Sequence, residues 1–103
     1  MAEEFVDQKV NEHKVVVFSK AYCPHCVEAI EVLSKHSAEF KVIELTEMTD
    51  FDKIQNALEK KTGERTVPRI FIDGKFVGGC SDLNLLNKKG ELIGMLKACG
   101  AVK

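Results

Sequence analysis

At 103 residues the chain has room for one core, spanning 1–103, and none for a second domain. Its 15 Lys and Arg nearly balance its 16 Asp and Glu, leaving a net charge of -1. That excludes a broad electrostatic footprint for nucleic acid or an anionic membrane, while leaving room for a small basic patch around an anionic ligand.

No apolar run approaches the roughly 20 residues that span a bilayer. The acidic start Met1-Ala2-Glu3-Glu4-Phe5 lacks the apolar segment of a secretory signal and the Arg-rich character of a transit peptide. A cytoplasmic chain is therefore expected. In that compartment structural disulfides are kept reduced, so 4 cysteines call for a chemical explanation.

In chain order, residues 2–13 alternate charge with Phe5, Val6 and Val10, a spacing that predicts a short amphipathic helix. Val15-Val16-Val17-Phe18 is a β-branched run typical of a strand buried on both faces. A loop from Ser19 to Cys23 follows. Pro24 then suits the first turn of a helix, where its missing N–H costs nothing. That helix is expected to turn Val27, Ile30, Leu33 and Ser37 inward, and Phe40 to Leu45 reads as a second strand.

Thr49-Asp50-Phe51-Asp52 resembles a capping box opening a third helix, with Phe51, Ile54 and Leu58 inward. Lys60 and Lys61 suit its C-terminal dipole and Gly63 its stop. Pro68 to Ile72 and Lys75 to Gly78 read as strands joined at the Asp73-Gly74 turn. Ser81 is expected to cap a helix reaching about Lys88, and Gly90 to break it. A last helix places Leu92, Met95, Leu96 and Cys99 on one face. The order β-α-β followed by a hairpin predicts an α/β sandwich with one mixed sheet of about four strands. Ligands of such sheets sit beyond the carboxyl ends of the parallel strands, where Cys23 falls.

Cys23-Pro24-His25-Cys26 is the motif that carries chemistry. A C-x-x-C at the start of a helix in a β-α-β setting reads as a redox pair. Cys23 sits ahead of the helix and Cys26 one turn inside it, so both sulfurs face one side. The unpaired amides of the helix start, with Lys20 three residues earlier, favour a thiolate at Cys23. Cys23 is thus the expected nucleophile and Cys26 the resolving thiol. A C-x-x-C can also be half of a zinc site. Cys80 and Cys99 are isolated in the sequence, however, and His13 and His36 show no paired spacing, so no metal is expected.

Residues 14 to about 90 resemble the glutaredoxin family. Lys20-Ala21-Tyr22-Cys23-Pro24-His25-Cys26 is similar to its active-site loop, Thr66-Val67-Pro68 to its substrate loop, and Gly78-Gly79-Cys80-Ser81-Asp82 to its glutathione-binding turn. The absence of Trp and of Cys-Gly-Pro-Cys argues against thioredoxin itself. The resemblance implies a thioredoxin-like three-layer sandwich and a glutathione-dependent disulfide oxidoreductase. It further implies that Pro68 is a cis-proline presenting the Val67 backbone to glutathione. Ser81 and Asp82 would hold the γ-glutamyl end, Lys20 and Gln55 the glycyl carboxylate, Tyr22 would flank the Cys23 sulfur, and Thr66 would belong to the substrate loop.

Arg65 and Arg69 are expected to be solvated charges. Cys80 and Cys99 read as packing residues. Many dithiol members of the family carry Tyr where this chain has His25, and a His there is expected to make the pair more oxidising. Glutathione enters as co-substrate, with no tightly bound cofactor. Glutathionylated or disulfide-containing proteins, and indirectly glutathione reductase, are the implied partners of a monomer. A glutathione-ligated [2Fe–2S] protein is the alternative that some family members imply.

Overall fold

The run of valines after the first helix becomes an inner strand with no exposed residue. The computed structural model describes residues 2–102. In it, β1 (Val15–Ser19) is buried along its whole length. It pairs in parallel with β2 (Lys41–Glu44) and antiparallel with β3 (Arg69–Ile72), which pairs in turn with β4 (Lys75–Gly78). The sheet order is β2-β1-β3-β4. Successive strand residues point to opposite faces, so β1 divides its side chains between two cores. Val15 and Val17 pack with Ile70 and Ile72 on one face. Val16 and Phe18 pack with Phe71 on the other.

Helices cover both faces. On the Val16–Phe18 side lie α1 (Ala2–Glu12) and α3 (Phe51–Thr62), which bury Val6, Val10, Ile54, Ala57 and Leu58. Lys60 and Lys61 pair with Glu3 and Asp7 at 3.0 and 2.7 Å and join the two helices at their surface. On the Val15–Val17 side lie α2 (Pro24–Lys35), α4 (Cys80–Lys88) and α5 (Leu92–Ala98), with Ala29, Leu33, Leu83, Leu92 and Leu96 fully enclosed. No helix is long and apolar enough to cross a membrane among the described residues.

Four local expectations need correction. In α2 the inward face is Cys26, Ala29 and Leu33, while Val27 is 53% exposed. The inward stripe is set by the cysteine one turn into the helix, and Ser37 lies past the helix end at φ 56. The second strand is shorter than its apolar run, because Leu45–Glu47 winds into a 3-10 turn. Helix α3 starts from Asp50 with no side-chain cap, so the Thr49–Asp52 box does not form. Helix α4 starts two residues early: Gly79 is its cap and Ser81 already lies inside the first turn. The other end signals hold, including the left-handed Gly63 stop and the Asp73-Gly74 turn, both of whose residues have positive φ.

Candidate active site

Cys23 occupies the N-cap of α2 in an extended conformation, and Pro24 follows at the first helical position. Its sulfur accepts the Cys26 amide N–H at 3.3 Å, doing what a Ser or Asp oxygen does at other helix starts. A sulfur held by an amide at the positive end of a helix is placed to carry negative charge. Cys23 is half-buried, whereas Cys26 is 1% exposed. Burial pushes the Cys26 thiol up, and its hydrogen bond with the Cys23 sulfur adds to this; the Ser19 hydroxyl and the Lys20 backbone pull the other way. The two thiols of one motif are thus made unlike by depth. All 4 cysteines are free thiols.

Beside the helix start runs a groove of about 300 Å³ whose walls include His25, Thr66, Val67, Pro68, Arg69, Ser81 and Asp82. Three separate sequence segments therefore meet. The Val67–Pro68 peptide is cis. Across from it, α4 opens at Gly79, and a side chain there would press on the Pro68 carbonyl at 3.4 Å. Gly78 has φ +123, and a Cβ on it would overlap the Asp82 carboxylate. Gly78 is thus required by close approach and by its positive φ. The Asp82 Oδ2 accepts the Gly79 N–H at 3.0 Å, which fixes the carboxylate at the mouth of the groove. The amides of the first turn of α4 have no intrahelical acceptor and can receive an anionic group.

Arg69 is the residue that sequence reasoning misplaced. It is 6% exposed rather than solvated. Its guanidinium lies 4.9 Å over the Phe76 ring, donates to Thr66 Oγ1 at 3.1 Å and to Thr62 Oγ1 at 3.4 Å, and pairs with Glu64 at 3.7 Å. It ties the Thr66–Pro68 loop to the end of α3. No pattern in the sequence separates Arg69 from Arg65, whose guanidinium instead turns onto α3 against Asn56, Glu59 and Asp52.

Lys20, Tyr22 and Gln55 stand outside the groove walls. Lys20 is half-buried, with Nζ 4.9 Å over the Phe51 ring. Tyr22 is fully exposed at φ 60, an uncommon conformation for an aromatic residue, next to Cys23. Gln55 is 5% exposed, and its amide donates to the Arg65 carbonyl at 3.0 Å, which steadies the same loop that Arg69 holds.

A second assembly lies on the His25 side. His25, Glu28 and Cys80 bring their donor atoms within 4.8 Å of one another. Asn84 donates to the Glu28 carboxylate and approaches the Cys80 sulfur at 3.5 Å. Bonds from Asn84 and then from the Cys80 thiol, with His25 nearby, hold the Glu28 carboxyl below its usual range. Burial, and secondarily the facing Glu28 carboxylate, pushes the Cys80 thiol up to about 11. Cys80 packs as expected; its proximity to α2 is a product of the fold and has no sequence signature. Cys99 is half-buried at the end of α5, bonded to the Leu96 carbonyl at 3.5 Å, and contributes to the core from its edge.

The glutaredoxin family model matches residues 15–77. A glutaredoxin of Vernicia fordii is 45% identical over 103 residues, covering 100% of this chain and 99% of that protein. Glutaredoxin-1 of Homo sapiens is 44% identical over 106 residues, covering 100% of both chains. The crystal structure of a buckwheat glutaredoxin–glutathione complex superposes with a TM-score of 0.98 at 42% identity, covering 100% of this chain and 94% of that one.

Proposed function

Since the chain belongs to the glutaredoxin family and is a glutathione-dependent thiol–disulfide oxidoreductase, we propose that it reduces protein–glutathione mixed disulfides and protein disulfides through Cys23, with Cys26 as the resolving thiol. The observation that carries this reading is the inequality of the two sulfurs. One is half-exposed at a helix cap and receives an amide N–H; the other is buried one turn deeper with its ionisation disfavoured.

The Cys23 thiolate attacks the glutathionyl sulfur of a mixed disulfide. The sulfur–sulfur bond of the substrate breaks, and the departing protein thiolate takes a proton from solvent. A second glutathione thiolate then attacks the Cys23–glutathione bond, releasing oxidised glutathione and restoring the Cys23 thiolate. With a protein disulfide, Cys26 loses its proton, attacks the mixed intermediate and closes the Cys23–Cys26 bond, which two glutathiones reopen. Glutathione reductase and NADPH renew the pool, in keeping with a cytoplasmic setting and a monomeric enzyme.

The groove supports a docking mode for the tripeptide. The Val67 backbone pairs with the cysteinyl unit, as an added strand would. The Asp82 carboxylate meets the γ-glutamyl ammonium, and the free amides at Ser81 and Asp82 meet the neighbouring carboxylate. Lys20 supplies the positive charge for the glycyl end, and Gln55 acts by holding the Arg65–Thr66 backbone in place.

The test is a glutathione-coupled assay on a small glutathionyl mixed disulfide and on a protein disulfide. Cys23→Ser should lose both activities. Cys26→Ser should keep the first and lose the second. Retention of activity in Cys23→Ser would overturn the assignment.

A further inference from the structure

The His25–Glu28–Cys80 assembly is not needed for any step of the thiol chemistry, yet it brings three different donor types together, two of them, His25 and Cys80, on the wall of the groove. His25 and Glu28 stand three residues apart on α2 and so share one helix face. Cys80 is the first helical residue of α4, which packs against that face. We propose that in the reduced protein His25, Glu28 and Cys80 form a binding site for a divalent ion of the zinc class, with one coordination position left open to the groove.

The donor set fits such an ion. An imidazole, a carboxylate and a thiolate together suit a borderline cation with tetrahedral preference, and three protein ligands leave a fourth position for water or substrate. Metal–ligand bonds of about 2.0–2.3 Å correspond to donor separations of about 3.3–3.8 Å in a tetrahedron. The donor atoms here already lie within 4.8 Å. Closing the remaining gap takes rotation of the exposed His25 ring toward the Glu28 carboxylate and the Cys80 sulfur.

The surroundings of the donors support the same reading. Asn84 already orients the Glu28 carboxylate from outside the triad, the role that outer hydrogen bonds play around metal ligands. The proton on the Cys80 thiol faces that carboxylate. An entering ion takes the place of this proton, which passes to solvent as the sulfur–metal bond forms.

His25 and Cys80 also line the groove that receives substrate. An ion between them narrows it and draws His25 across the helix start. Zinc therefore acts as a reversible inhibitor, a consequence that rests on the function proposed above; binding itself does not.

The experiment is a titration of the reduced full-length chain with Co²⁺ and Zn²⁺. A Cys23→Ser/Cys26→Ser background removes the redox pair as a competing thiolate site. The expected result is a thiolate-to-cobalt charge-transfer band and intense visible bands of four-coordinate Co²⁺, displaced by an equivalent of Zn²⁺. Adding Cys80→Ser to that background should abolish the charge-transfer band. His25→Ala and the surface change Glu28→Gln should each weaken binding at least tenfold. Absence of the band in the background protein, or its survival in the Cys80→Ser triple variant, would overturn the site. Loss of binding on removing the redox pair alone would do so too. In the wild-type enzyme, zinc inhibition relieved by a chelator tests the functional consequence separately.

Discussion

The amide of Cys26 points at the sulfur of Cys23 across 3.3 Å, so the proposed resolving residue touches the proposed nucleophile through its backbone while its own thiol stays 1% exposed. Backbone and side chain of one residue thus serve opposite ends of the cycle. In the reduced protein, iodoacetamide at neutral pH should modify Cys23 first and Cys26 at least tenfold more slowly. Burial blocks reagent access to Cys26 and raises its thiol. Peptide mass spectrometry over a time course reads the order; equal rates would show that depth does not separate the two thiols.

Arg69 makes a prediction about the loop rather than the chemistry. Its planar guanidinium reaches Thr66, Thr62 and Glu64 at once and lies over Phe76. A lysine keeps the charge but loses the fork geometry. Arg69→Lys should cost about 1–3 kcal/mol, the range for stripping partners from buried polar groups, measured as a shift in urea midpoint. It should also raise KM for the glutathionyl substrate more than it lowers kcat, because Thr66 loses its tether. An unchanged midpoint would mean that the guanidinium contacts hold nothing.

The division between what the sequence announced and what it hid follows contact range. β1, the hairpin at Asp73-Gly74 and the stop at Gly63 are written in neighbouring residues, where propensity and turn chemistry act, and the structure reproduces them. The C-x-x-C pair is legible for the same reason: its geometry is one turn of one helix. Val27 faces outward because α2 is addressed inward by Cys26, a cysteine that serves the core as well as the chemistry. The burial of Arg69 has no local signature because it depends on Phe76 and Thr62 arriving from other elements. The cluster at Cys80 depends on α4 meeting α2. Gly79 takes the cap in place of Ser81 because its N–H bonds the Asp82 carboxylate, which sets the helix start two residues earlier.

Cys80 carries a prediction about alkaline pH. Its thiol is raised from an ordinary value of 9.0 to about 11 in the folded chain. Below 9 the folded and unfolded chains both keep this proton, so its contribution to stability is complete there. As pH rises from 9 towards 11 the unfolded chain ionises first, and stability falls. The loss attributable to Cys80 should be on the order of 2 kcal/mol. The measurement is the urea midpoint from pH 8 to pH 11, compared with Cys80→Ala to remove the titration of lysines and tyrosine. The variant should show the shallower decline, and parallel curves would refute the assignment.

His25 bears on redox poise. In place of the tyrosine that many dithiol relatives carry, it brings an imidazole close to the helix start that holds the Cys23 sulfur. Any stabilisation of the reduced form makes a disulfide pair more oxidising. His25→Tyr should therefore be more reducing, by roughly 30 mV for each tenfold change in the exchange equilibrium, read from a glutathione redox titration. The Glu28 carboxylate interacts with His25 and opposes this effect. Glu28→Gln should accordingly shift the pair in the oxidising direction. A His25→Tyr protein with equal or higher potential would remove His25 from the redox balance.

Asp82 separates charge from geometry. Its carboxylate accepts the Gly79 N–H at 3.0 Å and sits where any side chain on Gly78 would collide with it. Asn at this position keeps an oxygen for the Gly79 amide and removes the negative charge. Asp82→Asn should therefore leave the fold stable to within about 0.5 kcal/mol and raise KM for glutathione about tenfold with kcat little changed, the signature of lost ground-state binding to an ammonium. Gly78→Ala should not separate the two: its Cβ drives the carboxylate out and its φ of +123 is unsuited to an L residue. Stability and binding then fall together, by about 1–3 kcal/mol in stability. If Asp82→Asn destabilised the chain as much as Gly78→Ala does, the carboxylate would be a structural cap, and the recognition of the γ-glutamyl ammonium would have to be sought elsewhere in the groove.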